Sequence, residues 1–290
     1  MIDQNKRPHT GIFVADGNRR LVMTQTGLTP DSGDFYPAYV NIVTEAFRNN
    51  LEVFFQHGLH TLLFPLFGPS LLTRTEKYRG YVMPELVRRL FKSDGWLSFY
   101  REQGVRIKAY GNLEILRRQC KDANLAETIK ECEHMTSAYG NHRLFYGFFS
   151  TQAFDRVLIQ QLQRFLRDRH REPDPSELAH LYYREPLRTA DFFITSTRMG
   201  YLGALPPFAY GKNTRMYTLT APGVFALNEN TYRQILYDLL CLGPADSGPV
   251  LYDTLPADID SLAGFYQHHQ NRVMGTGKKI GKWRVLDDSP

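Results

Sequence analysis

The stretch His9-Thr-Gly-Ile-Phe-Val-Ala-Asp-Gly-Asn-Arg-Arg20 sets how the rest of the chain is read. Its centre, residues 11–15 (GIFVA), is a short unbroken apolar run, which is the pattern of a strand buried on both faces. Asp16-Gly17 then ends it with a turn-forming pair. Such a strand belongs to an open parallel sheet with helices on both sides. Five more strands are expected at 61–67 (TLLFPLF, bent or ended near Pro65), 105–110, 142–149 (HRLFYGFF), 190–195 (ADFFIT) and 214–220 (TRMYTLT). Helical spacing predicts helices over 39–57, closed by Gly58, and over about 78–92 and 94–103. Others follow as one helix at 113–135, then at 153–169, from Asp174-Pro175-Ser176 toward Tyr183, and at 231–242. The fold expected is a single α/β domain over residues 1–290, a six-stranded mostly parallel sheet flanked by helices. A C-terminal extension spans 243–281, rich in Pro, Gly and Asp, and the ends at 1–8 and 282–290 are expected to be flexible.

With 42% hydrophobic and 22% charged residues, the 290-residue chain can bury a sizeable core, which excludes a disordered tail protein. The net charge of +5 comes without a run of like charge long enough for a nucleic-acid arm and favours an anionic partner without naming one. The start is polar up to residue 10 and no later stretch approaches about 20 apolar residues, so neither a leader nor a transmembrane segment is expected. Cys120, Cys132 and Cys241 are too far apart for a CxxC pair. They read as buried free thiols in a reducing, cytoplasmic setting. The 17 Tyr and 19 Phe against 2 Trp suit core packing, base stacking or a pocket for an apolar or cationic species, and composition does not choose among these.

Ligands of open parallel sheets bind beyond the carboxyl ends of the strands, which here are residues 16–20, 68–70, 111–112, 150–151 and 195–198. The first group is the richest in chemistry. Asp16, Gly17, Asn18, Arg19 and Arg20 place a carboxylate, a flexible turn, an amide and two guanidiniums together. That set suits a diphosphate: turn N–H groups and arginine forks on its oxygens, and a Mg²⁺ ion held by Asp16 and bridging to the same oxygens. The competing interpretation is a surface turn with solvated arginines.

The opening stretch resembles the His-x6-Asp-Gly-Asn-x-Arg signature with which cis-prenyltransferases bind an allylic diphosphate, and the later strands 105–112, 142–149 and 190–195 are similar to that family's. The family's second motif, Arg-Thr-x-Gly-Glu-x-Arg, is replaced by Thr195-Ser-Thr-Arg-Met-Gly-Tyr201, so the residues that hold isopentenyl diphosphate for chain elongation are missing. From about residue 11 to 275 the chain is more similar to a diterpene synthase branch of the family, through PLFGPSLLTRTEKY, WLSFYREQGV, NHRLFYGFF, a single Arg198, RQILYD and RVMGTG. The resemblance implies metal binding at Asp16, diphosphate contacts at Gly17, Asn18, Arg19, Arg20 and Arg198, and pocket tyrosines at Tyr39 and Tyr78. Arg272-Val-Met-Gly275 would be an element able to reach a neighbour's site in a homodimer. With the arginines assigned to a diphosphate, no nucleic acid partner is expected.

By the same resemblance the chain would ionise a bicyclic clerodane- or halimane-type diterpenyl diphosphate and quench the cation with water, giving a kolavelool- or tuberculosinol-like tertiary alcohol. Mg²⁺ would be the cofactor. The motif for protonation-initiated cyclisation is absent around Asp258-Ile-Asp260, so a class II diterpene cyclase would supply the substrate. The alternatives are transfer of the diterpenyl group to a nucleoside such as adenosine, and a degenerate homologue acting as a binding subunit. Residues 275–281 (GTGKKIG) have one residue too many for a dinucleotide loop and no strand before them, and read as a loop. The pairs His57/His60 and His268/His269 lack further metal ligands.

Overall fold

Six parallel strands, β1 (Thr10–Val14), β2 (Thr61–Phe67), β3 (Val105–Gly111), β4 (His142–Phe148), β5 (Phe192–Ser196) and β6 (Arg215–Leu219), form one sheet in the order β3-β4-β2-β1-β5-β6. The protein is seen in a computed structural model that describes residues 9–120, 122, 124–150, 156–196, 205–242, 256–270, 274–281 and 283–286. β1 pairs with β2 on one edge and β5 on the other, so it lies where the winding direction reverses. In β2 the register to β4 shifts between Pro65 and Phe67, the bend expected of a residue that cannot donate to the ladder.

Alternation along each strand divides the core in two. Phe13, Leu62, Phe64, Leu144, Tyr146, Phe192 and Ile194 face a large apolar cluster. It is built with α1 (Asn18–Thr26), α2 (Phe35–Gln56), α3 (Met83–Lys92), α4 (Asp94–Gln103), α5 (Leu113–Cys120), α6 (Leu125–Met135) and α9 (Glu229–Cys241). Ile12, Val14, Leu63, Phe145 and Phe193 face the opposite way, onto α8 (Pro175–Tyr183), with α7 (Arg156–Arg169) beyond it. Many of the fully buried side chains are aromatic: Phe47 stacks on Phe64 at 4.0 Å, and Tyr100 and Tyr146 join hydroxyls at 2.8 Å inside the larger cluster. Much of the Tyr and Phe content is therefore packing. Among the described residues no helix is long and apolar enough to cross a membrane.

Several expectations require correction. The residues after β1 form a helix, α1, which Gly27 closes at φ 70°. α2 begins at Phe35, not at residue 39, because Pro37 falls in its first turn, where a missing N–H costs nothing. The helix expected over 113–135 is two helices: the Asp122 carboxylate accepts the Asn124 N–H at 2.9 Å, a local bond that competes with helical continuation. The extension contains α10 (Pro256–His269) and an antiparallel hairpin of β7 (Gly277–Ile280) and β8 (Trp283–Leu286) where a loop was expected. Cys120 and Cys132 are buried, whereas Cys241 is exposed.

At the amino ends of the central strands, His9, His60 and His142 precede residues paired in register, Thr10 with Thr61 and Thr61 with Arg143. His9 and His60 stack with centroids 4.6 Å apart. Burial, then the neighbouring His9, Arg143 and His142, lower the His60 imidazole to about 4. His9 is lowered by burial and by Arg188 and Arg143, against an opposing pull from Asp191. His142 is lowered by burial, although its Leu59 carbonyl bond opposes the shift. All three bind protons more weakly folded than unfolded. Their contribution to stability is thus full above pH 6.5 and is lost as pH falls below it, for His60 down to about 4. The melting temperature should drop across that window and drop less in His60→Asn; equal slopes in both proteins would place the acid sensitivity elsewhere.

Candidate active site

β1 brings Ala15, Asp16 and Gly17 to the carboxyl edge of the sheet between β2 and β5. Gly17, at φ 92°, turns the chain directly into α1, a conformation that an L side chain disfavours. The first bond inside the helix runs from the Leu21 N–H to the Gly17 carbonyl at 3.2 Å. The N–H groups of Asn18, Arg19 and Arg20 therefore have no helical acceptor and form the positive end of the helix dipole. The Asp16 carbonyl accepts from the Gly223 N–H at 2.6 Å and from the Ser196 hydroxyl at 2.7 Å, which pins the turn to the end of β5 and to the loop before α9.

Asn18 braces this turn. Its Nδ2 donates to the Ala15 carbonyl at 3.2 Å and its Oδ1 accepts from the Val224 N–H at 2.9 Å. Gly223, at φ 71°, passes so close that an added Cβ would lie 2.3 Å from that Oδ1. The side-chain amide thus serves the fold, and the Asn18 backbone N–H is left facing outward at the start of α1.

Arg19 is half-buried and turns toward three tyrosines. Tyr36 and Tyr39 lie three residues apart on α2 and share a face. A single π-helical turn, Tyr78–Val82, widens the entry to α3 and sets Tyr78 against both, with ring centroids 6.3 Å from Tyr36 and 6.1 Å from Tyr39. Burial lowers the Arg19 guanidinium from its ordinary value and the like charge of Arg74 lowers it further, while Tyr39, Tyr78 and Tyr36 oppose. Arg74 follows the 3-10 turn Pro69–Thr73 beyond β2. Among the described residues neither arginine forms an ion pair with a carboxylate. Two half-buried cations of like sign near one another can hold an anion, because a bound anion would relieve the repulsion.

Burial raises the Tyr39 phenol well above 10, and coupling to Tyr78 raises it further. Tyr78 is also raised, chiefly by burial. Both stay protonated at neutral pH, so they can orient a nucleophile or present a ring face but cannot serve as bases. Arg20 takes a different direction: its guanidinium lies 5.6 Å from the centroid of Trp283 on β8, so the C-terminal hairpin reaches the same turn.

The structure thus unites Tyr39 and Tyr78 with Arg19, and places Arg20 on the adjoining side. Arg198 and Arg272 lie outside the described residues. Arg74, Tyr36 and Trp283 are additions. Arg74 could have been found by following the β2 strand end past Ser70, whereas nothing local marks Trp283. Among the described residues no group of three or more His, Cys, Asp or Glu could hold a metal. Mg²⁺ often takes only one or two protein carboxylates when phosphate oxygens and water complete its shell. Asp16 beside arginines and open N–H groups therefore fits a metal that arrives with a diphosphate.

No family model matches the chain. It is 29% identical over 278 residues to tuberculosinyl adenosine transferase of Mycobacterium tuberculosis, covering 93% of this chain and 88% of that protein. It is 22% identical over 281 residues to (+)-kolavelool synthase of Herpetosiphon aurantiacus, covering 94% and 88%. The structure is similar to lavandulyl diphosphate synthase of Lavandula x intermedia in complex with dimethylallyl diphosphate, with a TM-score of 0.60 at 13% identity over 82% of this chain and 97% of that one. It is also similar to a probable undecaprenyl diphosphate synthase of Campylobacter jejuni, with a TM-score of 0.58 at 16% identity over 81% and 96%.

The brace can be tested by itself. Asn18→Ala removes two bonds at the turn and should cost about 1–3 kcal/mol of stability by denaturant titration. An unchanged midpoint would show that Gly223 and Val224 are held by other contacts.

Proposed function

We propose that this chain, whose fold is similar to that of cis-prenyl diphosphate synthases, ionises a prenyl diphosphate, specifically a bicyclic clerodane- or halimane-type diterpenyl diphosphate, and quenches the allylic cation with water. The products are a tertiary diterpene alcohol and diphosphate. The observation that carries this reading is the convergence of Arg19 and Arg74 on a buried trio of tyrosines beside the N-terminus of α1. One end of the site is anion-binding and the adjoining wall is apolar and aromatic, which is the polarity of a prenyl diphosphate.

Heterolysis leaves the electron pair of the C–O bond on the diphosphate. Arg19, Arg74, Arg20 and the N–H groups of residues 18–20 neutralise that charge as it develops. Bound Mg²⁺, held by Asp16 and the diphosphate oxygens, would supply further charge neutralisation at the leaving group. The carbon left behind is a cation, and the ring faces of Tyr36, Tyr39 and Tyr78 favour it over water. The Tyr39 and Tyr78 hydroxyls orient the incoming water, whose surplus proton leaves to the released diphosphate or to solvent.

Arg198 and Arg272 are further candidates for diphosphate contacts, Arg272 from the second chain of a homodimer. A class II diterpene cyclase would make the substrate. Transfer to a nucleoside nitrogen is the second reading, favoured by the relative named as an adenosine transferase. The protein should be incubated with kolavenyl, halimadienyl and geranylgeranyl diphosphates and Mg²⁺, with and without adenosine. Alcohol and diphosphate are expected; an adenosine adduct would favour the second reading, and no diphosphate release from any substrate would mean a binding subunit. Asp16→Ala should slow release by about 10²–10³-fold with the melting temperature retained. Tyr39→Phe should change the rate or the alcohol fraction, since it removes only the hydroxyl; identical rate and products would leave Tyr39 a packing residue.

A further inference from the structure

A cleft of about 370 Å³ opens between α7 and α8, lined by Gln161, Arg164, Phe165, Asp168, Arg169, His180, Leu181 and Arg184. It lies on the opposite side of the sheet from Tyr39 and Tyr78, because α8 packs on the Ile12 and Val14 face and the tyrosines on the Phe13 face. The α7 positions in the lining, 161, 164, 165, 168 and 169, follow i, i+3, i+4, i+7, i+8 spacing, so they form one stripe of the helix. Gln161 and Phe165 are half-buried at the floor of the cleft, and Arg164, Asp168 and Arg169 are exposed along its rim, as is Arg184.

The charges in the cleft are also unbalanced. Three guanidiniums, Arg164, Arg169 and Arg184, accompany one carboxylate, Asp168, and among the described residues none of the three forms an ion pair with a carboxylate. Close by, Arg171 is paired with Glu177 at 2.6 and 2.8 Å and lies 5.3 Å from the Phe165 ring centroid, tying the end of α7 to the start of α8. Cations in this region therefore do find carboxylates where the fold alone requires it. Arg184 ends α8 at φ 58°, a position that ordinarily favours glycine, yet the chain has an arginine there. Gln161 adds a buried Oε1 that has no hydrogen-bond donor among the described residues.

We propose that this cleft binds a phosphate-bearing small molecule whose apolar or aromatic body lies along Phe165 and Leu181 while Arg164, Arg169 and Arg184 hold the phosphate. The arginine forks match phosphate oxygens, and the ring and leucine supply the area that a bare ion would not use. The site is independent of the chemistry at Asp16.

Isothermal titration of the full chain with adenosine 5′-monophosphate tests this assignment. The Arg19→Ala/Arg74→Ala protein serves to silence the first anion site, and binding there should match the unaltered chain. Arg169→Gln and Arg184→Gly should each weaken binding by about tenfold, and Arg184→Gly cannot be dismissed as misfolding because glycine suits that backbone conformation. Inorganic phosphate should bind more weakly than the nucleotide. The proposal is overturned if the nucleotide does not bind, if Arg169→Gln and Arg184→Gly leave its affinity unchanged, or if binding disappears with Arg19 and Arg74.

Discussion

β1 is paired on both edges and buried on both faces, and the rest of the molecule is arranged around that constraint. A central strand of five residues has no exposed face, so its chemistry can only emerge at its carboxyl end. There the chain must leave the sheet, and Gly17 makes the exit abrupt enough for a helix to start at the next residue. The consequence is a row of unbonded N–H groups at the reversal point of the sheet. Asp16, Arg19 and Arg20 are carried there by backbone geometry alone.

The electrostatics of the site follow from what is packed beside that exit. A half-buried arginine near a second arginine is unfavourable in an unliganded protein, and among the described residues the side chains gathered around it are phenols, not carboxylates. A carboxylate would stabilise the guanidinium more, but it would also compete with an anionic ligand. Tyrosines leave the cationic field available and line the same space with ring faces. The buried Tyr and Phe are thus divided between a packed core and this wall.

Where sequence reasoning failed, a tertiary partner was the reason. Asn18 reads as a ligand donor, and only the fold shows that its amide also accepts from Val224, more than 200 residues away. The break between α5 and α6 depends on one Asx bond that apolar spacing does not register. Arg20 has its aromatic partner on β8, in a segment whose composition suggests only a loop. The cleft between α7 and α8 is of the same kind. The arginines of α7 read as a solvated face in isolation, and only the packing of α8 sets Arg184 beside them over Phe165 and Leu181.

The amino-acid sequence by itself determined the α/β class, the six strands, the strand–turn–arginine element after β1 and the family resemblance, because these depend on local periodicity and on residues adjacent in the chain. The meeting of Tyr39, Tyr78, Tyr36 and Arg74 with Arg19, the brace from Asn18 to Val224 and the reach of Trp283 to Arg20 come from packing alone. Those contacts join α1, α2, the turn after β2 and the C-terminal hairpin, whose distances in space are set by how the helices pack on the sheet. Packing of that kind depends on the shapes of all the side chains at once, and no single window of sequence contains it.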